Sequence, residues 1–409
     1  MSSPFEDIRT LAVRLHGRRI GVINRLAGDR QLFAFDQDYV DDPNRPTLSL
    51  SYKARDGGLV TKPRSYTTRV PPFFSNLLPE GHLRDYLARR AGVKPVREFF
   101  LLSVLGPDLP GAVEVVPIPD DERQSDHEDQ ETHDDDQQHG KDRPVLRFSL
   151  AGVQLKFSAI LEAAGGLTVP ADGMGGAWIL KLPSAQYMGV PENEFAMMEL
   201  ARTVGIDVPE TRLIPVEEIQ GLPSDAGRLT GQALAVRRFD RTDGGGRVHM
   251  EDFAQVFGLF PDDKYGTRSA DNIASVLRAE VGNEGSFEFV RRLAFSVAIG
   301  NADMHLKNWS LLYPDTRTAV LSPAYDLLST IPYLPEDELA LTMGGSRSLS
   351  AITKDQVRKF TDKSGLPTGP TWDLVCETQE AVSAAWSDLS ARDILLPDIE
   401  RAIDRQISH

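Results

Sequence analysis

GNADMHLKNWSLL, from Gly300 to Leu312, followed shortly by SPAYDLLS, from Ser322 to Ser329, is the passage on which the reading of this chain turns. Asp303 and Asn308 are separated by four residues, the Asp-to-Asn spacing of a protein-kinase catalytic loop. In that loop the Asp takes the proton of the acceptor hydroxyl and the Asn holds magnesium. Two strand-like runs follow, NWSLLY and TAVLSP, and Asp326 closes the second, where the template places its other magnesium carboxylate. A hard cation that bridges phosphates takes oxygen ligands, and Asn308 and Asp326 supply two of them. The alternative is a polar turn with a capping Asp and a buried Asn; the strands that follow favour the loop.

Working outward, AWILKLP places Lys181 inside an apolar strand, where an ammonium is costly unless paired. A fixed ammonium suits the α- and β-phosphates of a nucleotide, and Glu194, in the helix-like run ENEFAMMELARTVGI, is its candidate partner. Phe195, Met198, Ala201 and Ile206 mark the expected buried face of that run. The alternative is that Lys181 snorkels from an edge strand. PVLRFSLAGVQLKFSAIL reads as two β runs around a small-residue turn, Ser149 to Val153, whose backbone N–H groups could cover phosphates. Its one glycine, Gly152, does not make the kinase GxGxxG pattern, so an ordinary hairpin reads equally well. ALAVRRFDR, Ala233 to Arg241, is an apolar strand running into polar residues, suited to a linker that meets an adenine edge with its backbone. From Met250 the chain reads as mainly helical through MEDFAQVFGLF, ADNIASVLRAEV and SFEFVRRLAFSVAIG. It does so again from Thr353 to Ile407, where Trp372, Val375, Cys376, Ala381, Ala385 and Leu389 follow helical spacing.

The chain has 409 residues, 41% of them hydrophobic, enough for a large core and, by length, two or three domains. No apolar run is long enough to span a bilayer, and MSSPFEDIRT lacks the pattern of a signal peptide, so a cytoplasmic location without a membrane partner is expected. A single cysteine, Cys376, excludes an intrachain disulfide framework and reads as a core residue. The net charge of −15 excludes unaided binding along a nucleic-acid backbone, so a DNA role needs a partner.

LAVRLHGRRIGVIN, QLFAF and LSLSY read as β segments, with DDPNRP and RDGG as turns between them. FFSNLLPEGHLRDYLARRAG reads as helical with Gly92 as its C-cap, and VREFFLLSVLGPDLPGAVEVVPIP as helix, turn and closing strand. Residues 1–118 form an α+β unit with no visible chemistry, in which His16 and His82 lack ligand-spaced companions. Residues 119–143 read as a disordered acidic insert: Asp120 to His139 holds ten Asp and Glu against one Arg and no apolar residue, and carries −9 of the net charge. Residues 144–240 read as an ATP-binding lobe and 241–409 as a helical catalytic lobe. The expected fold class is α+β, a bilobal protein-kinase-like fold with a small β-rich N-terminal subdomain and a mainly helical C-terminal lobe.

SLAGVQLKFS, ILKLP, NEFAMMELA, RFDR, NADMHLKN and SPAYDLLS together resemble the HipA family of serine/threonine kinase toxins, and FFSNLLPEGHLR resembles the amino-terminal domain of those proteins. The resemblance implies an ATP- and Mg2+-dependent kinase that phosphorylates an aminoacyl-tRNA synthetase, the glutamate enzyme being the best-known target. Growth arrest and persistence would follow. It also implies neutralisation by a HipB-like helix-turn-helix antitoxin, which carries any contact with operator DNA. Carried over by motif, Asp303 is the catalytic base, Asn308 and Asp326 hold magnesium, and Lys181, paired with Glu194, holds phosphates. Arg237 to Phe239, with Asp240, form the adenine linker, and His305 sits near the nucleotide. Ser149, Ala151, Gly152 and Val153 form the phosphate loop, with Ser149 as the site of autophosphorylation. Arg237 stands where an acidic residue is expected, Met250 where a glutamine is common before EDF, and the acidic insert is unexpected. The same residues also suit a kinase-fold phosphotransferase acting on a small molecule, or a corepressor whose kinase activity is dispensable.

Overall fold

His16 and Gly17 have φ of 52° and 78°, the pair of left-handed residues that closes a two-residue hairpin. They split LAVRLHGRRIGVIN into antiparallel strands Thr10–Leu15 and Arg18–Leu26, and alternation puts Leu11, Val13 and Leu15 in the core. The structure, a computed structural model, describes residues 7–62, 64–118, 156–161, 167–168, 176–184, 186–222, 229–335, 338–350 and 352–408. Ser149, Ala151, Gly152, Val153 and the acidic stretch lie outside the described residues.

The hairpin joins a five-stranded antiparallel sheet in the order Ser65–Thr67, Arg30–Phe35, Arg18–Leu26, Thr10–Leu15, Val113–Pro117. Helices Gly81–Ala91 and Glu98–Leu105 accompany it, and Gly92 caps the first at φ 68°. LSLSY does not supply a strand: Leu50–Tyr52 is a 3-10 turn. Ser49 is the reason, since its hydroxyl accepts the Ser51 N–H locally and draws the backbone away from a ladder.

A second sheet runs Leu167–Thr168, Lys156–Leu161, Trp178–Lys181, Gln232–Arg237, Thr211–Pro215, with helix Val190–Thr203 packed on it. Ala159, Trp178, Leu180, Ala233 and Ala235 share one core with the N-terminal sheet and its helices. Met197, Met198, Leu200 and Ala201 of the helix belong to the core of the larger, helical part. Phe195, expected on that buried face, is only half-buried, because Glu194 takes the inward place beside it.

The helical part contains Ala270–Glu280, Asn283–Ala298, Lys354–Ser364, Thr368–Ser387 and Pro397–Ile407. Ser269 with Asn272 and Thr353 with Gln356 form capping boxes that fix two of their starts. A three-stranded sheet, His249–Asp252, Ser310–Tyr313, Val320–Leu321, crosses this part. Helix therefore does not begin at Met250, which is in a strand; Asp252 ends that strand and caps the short helix Phe253–Val256. In Thr368–Ser387 the buried stripe is Thr371, Val375, Thr378, Val382 and Trp386, while Ala381 is exposed and Cys376 is half-buried rather than in the core. No helix among the described residues is long and apolar enough to cross a membrane.

Candidate active site

Trp178–Lys181 is the central strand of its sheet, so Lys181 does not snorkel from an edge. Its side chain is buried, and Nζ donates both to Glu194 of the adjoining helix and to Oδ1 of Asp326. Burial alone would lower the ammonium pKa; the Asp326 and Glu194 carboxylates more than reverse that and hold it above the ordinary lysine value. Asp326 reaches the ammonium from a left-handed backbone, φ 55°, a conformation that a short polar side chain tolerates better than most.

Helix Asn283–Ala298 leads into Gly300, φ 68°, whose carbonyl accepts the Thr330 N–H at 2.9 Å. The loop beyond is built from its own side chains. Asn301 Oδ1 accepts the Asp303 N–H at 3.1 Å, and the Asp303 carbonyl accepts the His305 N–H and Asn308 Nδ2, both at 2.8 Å. With its amide nitrogen committed to the loop, Asn308 offers Oδ1 to a cation. The Asp303 carboxylate is exposed and accepts the Tyr265 hydroxyl at 2.8 Å.

Lys181, Arg237, Phe239, Asp240, His305, Asn308 and Asp326 line one cavity between the sheet and the loop. Asp303 is outside this lining. Ile179, Val236 and Met250 supply apolar wall, and Asn76, Leu77 and Pro110 enter from the N-terminal unit. Two buried polar atoms of the lining, His305 Nδ1 and Asn76 Oδ1, have no hydrogen-bond partner among the described residues. Burial, with the Lys264 ammonium near, lowers the His305 pKa to about 3, so the ring is neutral at physiological pH. Among the described residues no group of three or more His, Cys, Asp or Glu could hold a metal ion. One amide oxygen and one carboxylate nevertheless fit magnesium, which is commonly held by one or two protein oxygens with the rest from phosphates and water.

Behind the linker lies a buried ion-pair cluster. Arg238 donates to both oxygens of Asp240, at 2.9 and 2.8 Å, and Arg241 joins Asp240 at 2.7 Å and Asp108 at 3.0 Å. Gly111 N–H also donates to Asp240 at 2.8 Å. Burial would raise the Asp240 pKa, yet Arg238 and Arg241 bring it to about 2. Arg237 points its charge elsewhere, to Asp243.

Two family models match the chain, the HipA N-terminal domain over residues 11–116 and the HipA-like C-terminal domain over residues 148–386. A Sinorhizobium fredii protein with the name "Putative kinase Y4dM" is 54% identical over 383 residues, covering 93% of this chain and 91% of that one. The chain belongs to the HipA family. The "Serine/threonine-protein kinase toxin HipA" of Shewanella oneidensis is 27% identical, covering 88% of this chain and 84% of the toxin. A solved complex of the Shewanella oneidensis HipA with HipB and operator DNA shares the fold at a TM-score of 0.70 and 24% identity, over 97% of this chain and 95% of that one.

As a HipA-family kinase the chain carries several cavity residues that its sequence did not disclose. Asp252 is one: burial pushes its carboxyl up to about 6 against the pull of Lys307. Its capping partner Gln255, with Lys307, Ser310 and Tyr325, completes that side of the lining. Asp252 is masked in the sequence by a run that reads as helix, although an Asp three residues before a Gln is a capping-box signal. Asn76 and Leu77 carry no such signal, since nothing local marks a residue that completes a distant wall.

Proposed function

We propose that this HipA-family kinase is an ATP- and Mg2+-dependent serine/threonine protein kinase acting as a toxin on a translation protein, an aminoacyl-tRNA synthetase being the best candidate. Lys181 would hold the nucleotide phosphates, backbone at Arg237 to Phe239 would meet the adenine edge, and neutral His305 would lie beside the nucleotide. Asn308 and Asp326 would hold magnesium, which when bound neutralises charge developing on the transferred phosphoryl group. Asp303 would accept the acceptor hydroxyl proton. The observation that carries the reading is a buried lysine shared by Glu194 and Asp326 in a cavity that Asn308 also lines.

By the same reading residues 144–240 and 241–409 form the two lobes, with residues 1–118 as an added unit. Ser149 is the proposed autophosphorylation site, and phosphate there would block nucleotide binding by repulsion from the carboxylates. A HipB-like helix-turn-helix antitoxin would neutralise the kinase and supply any contact with operator DNA; the Shewanella complex supports that partner. Phosphoproteomics of cells expressing the chain, against an Asp303→Ala control, tests the function. A set of translation proteins phosphorylated only by the unaltered chain is expected, and identical phosphoproteomes would refute it.

A further inference from the structure

Tyr265 belongs to none of the motifs read from the sequence. It follows the 3-10 turn Pro261–Asp263 and is 46% exposed. Two of its contacts reach the catalytic loop. The phenol donates to Oδ1 of Asp303 at 2.8 Å, and the ring stands edge-on to His305, with centroids 5.2 Å apart at 79°. The preceding residue anchors it: the Lys264 ammonium lies 5.3 Å from the ring centroid and donates to Glu80 of the N-terminal unit at 2.8 Å. Glu80 also accepts from Lys307 of the catalytic loop at 2.7 Å, so one carboxylate ties both segments together. A hydroxyl donating to a carboxylate fixes its orientation and favours its ionised form.

We infer that Tyr265 is a positioning residue for Asp303, its hydroxyl on Oδ1 holding the carboxylate in the orientation from which it receives the acceptor's proton. The inference rests on Asp303 being the base of the proposed kinase. In the transfer, the acceptor oxygen bonds to the γ-phosphorus and the bond from that phosphorus to the bridging oxygen of the β-phosphate breaks. The acceptor proton passes to Asp303, and Tyr265 keeps its own proton throughout.

The test compares the full chain with Tyr265→Phe, which keeps the ring and removes the hydroxyl, using ATP, magnesium and dephosphorylated casein as acceptor probe. The expected result is a kcat lower by about 10-fold, a smaller loss than the roughly 10²- to 10⁴-fold cost of removing a base. KM for ATP should be unchanged. An unchanged or raised kcat would overturn the inference. Carbon-13 spectra of aspartate-labelled protein, with the Asp303 signal assigned by Asp303→Asn, read the contact without turnover. The Asp303 carboxyl signal should move between the unaltered chain and Tyr265→Phe, and coincident signals would overturn the inference. A wild-type chain that transfers phosphate neither to casein nor to itself would instead remove the kinase reading, and the spectra would still report whether Tyr265 holds Asp303.

Discussion

Asp303 and Asp326 flank the strands Ser310–Tyr313 and Val320–Leu321 in different surroundings, and the difference predicts different losses. Asp303 is exposed and outside the cavity lining, whereas Asp326 lines the cavity and pairs with Lys181. Asp303→Asn should therefore keep nucleotide binding and lose transfer by about 10²- to 10⁴-fold. Asp326→Asn should also weaken magnesium-dependent binding of ATP. Calorimetry with ATP and magnesium checks both, and the reverse pattern would overturn the two roles. Lys181 and Glu194 were legible because an ammonium in an apolar strand demands a partner and a helix followed with a carboxylate. The Ser49 contact to Glu251 was not, because its partners lie 202 positions apart and neither is unusual in its own neighbourhood.

The helix Asn283–Ala298 leads into the loop that carries Asp303, and Gly300 is where it lets go. A Cβ there would meet Ile331 at 2.8 Å on a backbone with φ 68°. Gly300→Ala should cost about 1–3 kcal/mol, as overpacking of a core does, with a further penalty from the left-handed backbone. Urea unfolding measures it, and a change below about 0.5 kcal/mol would show that the loop shifts without strain. At this scale helices were legible from periodicity, because apolar stripes are local, although in Thr368–Ser387 the buried stripe runs through Thr371, Thr378 and Trp386 rather than Cys376 and Ala381. LSLSY and the run from Met250 misled for one shared reason: Ser49 and Asp252 redirect the backbone with their own side chains, and an apolar pattern does not register that.

Across the whole molecule, acids between the N-terminal unit and the helical part respond to pH with opposite signs. Glu251 is fully buried and accepts from Ser49 Oγ at 2.5 Å, the Leu50 N–H at 2.9 Å and the Tyr313 hydroxyl at 2.5 Å. Burial pushes its carboxyl up to about 7 despite these donors. The folded state then holds its proton more tightly than the unfolded one. Its contribution is full below the ordinary carboxylate pKa and is lost as pH rises toward 7. Glu251→Gln should remove that loss, gaining on the wild type by roughly 1 to 3 kcal/mol between pH 5 and 7, at about 1.4 kcal/mol per pH unit. Thermal melts across that range decide it, and parallel curves would refute it.

Glu80 behaves in the other direction. Burial would raise its pKa, but Lys307 and Lys264 bring it to about 2. Its contribution is present above the ordinary carboxylate pKa and is lost as pH falls toward 2. Glu80→Gln should lower the melting temperature at pH 7 and flatten the acid limb, and an unchanged pH 7 melt would show that the clamp adds nothing to stability. The strands and helices of the N-terminal unit were legible from local pattern, while its shared core with the second sheet and its share in the cavity wall were not, since Asn76 and Leu77 acquire that place only when the unit docks.

The shared lysine has one more implication, for the order in which ligands arrive. Lys181 balances one of two carboxylates, leaving the trio one negative charge in excess. On the proposed kinase reading, a triphosphate that takes the donor now given to Asp326 loosens that contact, and a divalent cation that recruits Asp326 loosens it from the other side. Each newcomer thereby undoes the contact that obstructs the other. The two affinities would then be linked, and by reciprocity the factor by which magnesium tightens ATP would be the factor by which ATP tightens magnesium.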